Sequence, residues 1–150
     1  MKAYKFNPIK ELELDIPRSN RKAALEDAAT YIKEAMLDYI GEGKSPVEKG
    51  KWVRSLTKQY AKTKSEQSSA NFANLELTGE MLDSLTVDVS GSNIIVDVGD
   101  DQRDKAEGHL TGIYGDSNKI RPRQFMPQKG ESFKREIMSN IKKILEDYES

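Results

Sequence analysis

Residues 85–99, LTVDVSGSNIIVDVG, constrain the fold of this chain more than any other stretch. With Gly91 and Ser92 in the turn, Ser90 pairs with Asn93. The register then runs Val89–Ile94, Val87–Val96 and Leu85–Val98. Side chains alternate along a strand, so those six apolar residues share one face. Thr86, Asp88 and Asp97 occupy the other face, with Ile95 as its apolar exception. Glycine at the first turn position suits a type II′ turn. One apolar face requires a cover, and a lone hairpin is marginal in water.

Two helical patterns can supply the cover. The first spans about 21–40, with Ser19 or Asn20 as expected N-cap and Gly41 just past the end. Its stripe of Leu25, Ala28, Ala29, Ile32, Ala35, Met36, Tyr39 and Ile40 recurs at steps of three and four, opposite a charged face. The second spans about 132–148, with Phe133, Ile137, Ile141, Ile144, Leu145 and Tyr148 on its stripe. Two long amphipathic helices over a small antiparallel sheet make a two-layer α+β domain. A third strand is expected from 124–126, from 12–16 (where Leu12, Leu14 and Ile16 alternate with charges), or from a neighbouring subunit.

The remaining chain is punctuated rather than periodic. Residues 1–17 read as an N-terminal arm or short edge strand, and 18–150 as one domain with long loops at 41–51 and 63–74. A short helix is expected at about 52–62, with Trp52, Leu56 and Tyr60 at four-residue spacing. A two-turn helix begins near Thr78 and feeds the hairpin. Another is expected at about 102–107, closed by Gly108.

Composition removes several chemistries. The chain has no cysteine, so disulfides, thiolate catalysis and cysteine zinc sites are excluded. Lys and Arg number 24 against 25 Asp and Glu, a net charge of −1 that drives no global attraction to nucleic acid or membrane. No apolar run approaches the roughly 20 residues that cross a bilayer, and the start of the chain shows no signal-peptide core. We therefore expect synthesis and assembly in a cytoplasm. His109 is the single histidine, and with Glu107 it gives two metal ligands where a site needs more. Asp97, Asp100, Asp101 and Asp104 lack the glycine and glutamate positions of an EF-hand. No phosphate-binding loop or nucleophile elbow occurs. These readings point away from an enzyme and toward a chain with no cofactor and no metal.

Charge is segregated instead. Residues 97–107 hold five acidic residues against Arg103 and Lys105, whereas 119–135 contain Lys119, Arg121, Arg123, Lys129, Lys134 and Arg135 against Glu131. Oppositely charged patches permit head-to-tail association, which closes into a ring when the rotation allows.

Four segments carry a family signal in their order and spacing: LELTGEMLDSL at 75–85, IIVDVG at 94–99, GHLTGIYG at 108–115 and IRPRQFMP at 120–127. Together with the GKSPVEKGKWVRSLTKQYAKTK stretch at 43–64, they resemble the tail-completion and neck proteins of tailed bacteriophages, the virion-morphogenesis group that joins head to tail. Arg121 stands before Pro122 where a small or apolar residue is common in that group, and 1–16 has no counterpart. The resemblance implies a structural virion protein without substrate or cofactor, forming a homo-oligomeric ring, six-fold in preference to twelve-fold. Its partners would be other neck, portal-side and tail-tube proteins, with genome DNA as passing cargo. Ile95, Lys119, Arg121, Pro122, Arg123 and Phe125 are then the expected subunit or partner contacts, and Lys129 and Arg135 the expected cations of a DNA channel. Phe125 has a second reading, as a seal on its own core. The alternative function is a nucleic-acid-binding module using 119–135.

Overall fold

The computed structural model describes residues 3–50, 83–99, 113–114, 118–119, 124–128 and 130–149. The expected helices at 52–62 and 102–107, almost all of the one beginning near Thr78, His109, and the acidic run beyond Asp97 lie outside the described residues.

The hairpin forms as its alternation requires. Strands β2 (Thr86–Ser90) and β3 (Asn93–Asp97) pair antiparallel, with Val87 opposite Val96, Val89 opposite Ile94 and Ser90 opposite Asn93. Gly91 has φ +59°, while Ser92 is not among the described residues with positive φ. That combination is the type II′ pattern, and it matches the right-handed twist of the flanking strands. Ile94, Val96, Leu85 and Val98 are buried, with Val87 and Val89 packed on the same core.

The third strand comes from neither 124–126 nor 12–16. It is β1 (Tyr4–Phe6), antiparallel to β3, so the sheet order is β1-β3-β2 and β3 is central. Tyr4 faces Val96 and Phe6 faces Ile94, extending the apolar face by two rings. Phe6 also meets Phe133 edge-on, with centroids 6.0 Å apart. Residues 12–16 form no strand; they follow α1 (Pro8–Glu11) as a turn and an irregular segment leading into the next helix. Asn7 accepts the Lys10 N–H to cap α1, and proline opens it. Glu13 then takes φ +54°, with Glu13 N–H donating to the Lys10 carbonyl and Leu14 N–H to the Ile9 carbonyl. This is a Schellman stop with glutamate where glycine is usual.

The long helix, α2, runs from Arg18 to Gly41. It starts earlier than the sequence suggests, and neither Ser19 nor Asn20 caps it. Pro17 is the N-cap and supplies no side-chain bond; the Asn20 amide donates instead to the Tyr148 carbonyl at 3.2 Å. At the other end Gly41 is still helical. Gly43, at φ +73°, is the left-handed residue, with its N–H on the Ile40 carbonyl and Lys44 N–H on the Tyr39 carbonyl. Along the stripe, Ala24, Ala28, Ala29 and Ala35 are buried among Leu25, Ile32, Met36 and Ile40. The alanines let α2 pack against both β2 and the second long helix.

That second helix, α3 (Arg135–Glu146), is shorter than the expected 132–148. Residues 132–134 are extended because they pair with the 46–48 loop. Glu48 N–H donates to the Ser132 carbonyl, Lys134 N–H to the Pro46 carbonyl, and Val47 bridges Phe133. Ile137, Ile141 and Leu145 are buried, with Ile144 and Tyr148 at the edge of the core.

The architecture is α+β: a three-stranded antiparallel sheet covered by helices. A second two-stranded pair joins β4 (Ile113–Tyr114) to β5 (Asn118–Lys119). Among the described residues, no helix is long and apolar enough to cross a membrane.

Candidate interaction surface

Three features of the described surface carry polar chemistry. The first is a corner where loop 45–48 meets 124–134. Ser45 is buried; its hydroxyl donates to the Gln124 carbonyl and accepts the Val47 N–H at 3.1 Å. That clamp holds Phe125 and Met126 in the core. Glu48 reaches across to accept the Arg135 N–H at 2.9 Å, capping α3 with a carboxylate from another loop. A carboxylate there satisfies an otherwise unpaired donor and lies at the positive end of the helix dipole. Gln128 N–H donates to the Glu131 carboxylate at 2.8 Å, closing the turn that contains Gly130.

The second feature is a basic groove beside the hairpin turn, lined by Arg18, Arg21, Lys22, Glu26 and Ser92. No acidic residue occupies the first turn of α2, so its cations sit at the positive end of the helix dipole. Arg21 Nε donates to the Ile16 carbonyl at 2.9 Å.

The third is an acidic groove on the opposite flank of α2, between it and the end of α3. Asp27, Thr30, Glu34 and Asp147 form its rim, over Tyr31, Ile144 and Tyr148. Asn140 donates to the Tyr31 hydroxyl at 2.9 Å, and the Tyr148 hydroxyl donates to the Asp27 carboxylate. The bond to Asp27 raises the Tyr148 phenol above its ordinary range. Nearby, burial and then the bond to Glu136 push Tyr39 up, while Lys134 Nζ lies 5.2 Å from the Tyr39 ring centroid.

The residues expected to make contacts from sequence fall in different places. Phe125 is 1% exposed and fills its own core, which removes it as a surface docking residue. Ile95 is half-buried on the outward face, between Lys5 of β1 and Asp88 of β2. Lys119 lies on β5, paired with Ile113. Arg135 is exposed at the first position of α3. Arg121, Pro122, Arg123 and Lys129 lie outside the described residues. Among the described residues, no three carboxylate or imidazole groups gather as a metal site would require.

No protein-family model, curated protein or solved structure matches the chain.

Both grooves were missed by sequence reasoning. Beginning the helix at residue 21 left Arg18 outside it. Asp27 and Glu34 belong to the charged face opposite the apolar stripe, which by itself signals nothing beyond solvation. The available signal was the first turn of α2, which bears cations and no acid.

Proposed function

We propose that this chain is a structural, non-enzymatic virion component of a tailed bacteriophage, forming a homo-oligomeric ring at the head–tail junction. The observation that carries the reading is the order and spacing of the segments at 75–85, 94–99, 108–115 and 120–127. Support comes from how those segments are used. Leu85 from the first, Ile94, Val96 and Val98 from the second, and Phe125 and Met126 from the last all enter one core. Segments far apart in sequence therefore specify one packing unit, as expected of a pattern tied to a fold.

The ring itself is supported by surface charge. A small sheet with two short edge strands leaves the domain reliant on its helices, and oppositely charged flanks suit heterologous contacts that close by rotation. Tail-tube and portal-side proteins are the proposed neighbours, and DNA passes through the ring as cargo. Co-purification of the full chain with tail-tube and portal-side proteins of the same virion, followed by imaging of the particle neck, tests this. Retention with those proteins and density for the chain at the neck are expected. A chain that binds none of them and is absent from particles overturns the reading.

A further inference from the structure

The long helix α2 carries opposite charges on its two flanks. Arg18 and Lys22 line the groove beside the hairpin turn, and Glu34 lines the groove against α3 together with Asp147. Helical geometry sets Lys22 and Asp27 about 140° apart around the axis, so the two flanks look in different directions. Among the described residues Arg18, Lys22, Glu34 and Asp147 have no ion-pair partner, whereas Lys44 and Glu42 pair at 3.3 Å. Arg18, in the first turn, is also opposed by the dipole of its own helix, an arrangement that local stability alone would not favour.

We infer that copies of this chain dock head to tail, with Arg18 and Lys22 of one copy entering the groove rimmed by Glu34 and Asp147 of the next. This contact rests on the ring reading above and names the surfaces that would build it. Charge complementarity selects the occupant. The acidic groove calls for long cationic side chains, and the chain presents such a pair on a flank its own acidic groove cannot reach. The aromatic and aliphatic floor, Tyr31 and Ile144, accommodates the methylene stems of those cations while the rim carboxylates meet their heads. Because the two patches differ, the contact is heterologous, and the two end copies of an open assembly each retain one free patch until it closes.

The test uses charge reversal in the full chain. One variant carries Arg18→Glu with Lys22→Glu, a second carries Glu34→Lys with Asp147→Lys, and a third carries all four. Association is read by sedimentation velocity at low salt, with circular dichroism as the check on folding. The wild-type chain is expected to self-associate, and raising the salt to about 500 mM is expected to weaken it at least ~10-fold. Each two-site variant alone is expected to weaken association by at least ~10-fold. An equimolar mixture of the two is expected to recover it as an alternating assembly, and the four-site variant to recover it alone. Such recovery requires folded subunits, so it separates lost contact from lost structure.

Assembly unchanged in either two-site variant, or no recovery in both the mixture and the four-site chain, overturns this contact while leaving the ring reading intact. A wild-type chain that stays monomeric overturns the contact and the self-assembled ring together, whereas an oligomer that survives both charge reversals overturns the contact alone.

Discussion

The hairpin and the corner around Ser45 solve the same problem by opposite means. In the hairpin, every pairing partner lies within eleven residues along the chain, from Ser90–Asn93 out to Thr86–Asp97. Alternation and one turn glycine are enough to set it. At the corner, Ser45 meets Gln124 across 79 residues, and Glu48 meets Arg135 across 87. Nothing periodic marks that meeting. The hairpin stores its instructions locally, whereas the corner depends on the rest of the domain having already formed. Residues 124–127 are held by the corner and inherit their position from long-range contacts.

Truncating the corner's buried ring should have the largest effect. Phe125→Ala removes a side chain that is 1% exposed, and should cost about 3–5 kcal/mol in urea unfolding. A loss under ~1 kcal/mol would mean that the corner is not part of the core. Ser45→Ala deletes the donor to Gln124 and the acceptor for Val47 N–H, and should cost about 1–3 kcal/mol by the same assay. An unchanged midpoint would show that the clamp is dispensable.

Glu48→Gln keeps the size of the side chain and removes its charge. It should lower stability by about 0.5–1 kcal/mol, because the cap on α3 loses its interaction with the helix dipole. Glu13→Gly runs in the other direction. Glu13 holds φ +54° outside the hairpin, and glycine there should raise the thermal midpoint, by no more than ~1 kcal/mol in stability.

A pH titration sharpens the comparison from the sheet side. Burial, and then the Glu11 charge, push the Tyr4 phenol up to about 12 in the folded chain, against 10.0 unfolded. The folded state therefore retains a proton that the unfolded state releases. The contribution of Tyr4 to stability should be fully present below pH 10 and lost as pH rises through about 12. Tyr4→Phe should behave like wild type at neutral pH and flatten that alkaline loss; an identical alkaline profile would assign it to another group.

How much of this the amino-acid sequence discloses follows the same division. The hairpin register, the stripe on α2 and the α+β class all rest on periods of 2 and 3.6 residues, which are local. Tyr4–Phe6 is too short to display alternation, and it becomes a strand because β3 offers a free edge. The start of α3 is misread because residues 132–134 follow the helical stripe, yet their backbone bonds go to the 46–48 loop. Asn20 looks like a cap, but its amide is used 128 residues away on Tyr148. At the candidate surface, charge type is visible in the sequence and placement is not. The basic groove needs α2 to begin at Arg18, and the acidic groove needs α3 to bring Asp147 alongside Glu34.

The ring is tested most directly by native mass spectrometry of the full chain across a concentration series. The account predicts one discrete closed species, at six or alternatively twelve times the 16.9 kDa subunit mass, with little material between it and the monomer. A 16.9 kDa monomer persisting at every concentration, or an open-ended ladder with no favoured size, would contradict it.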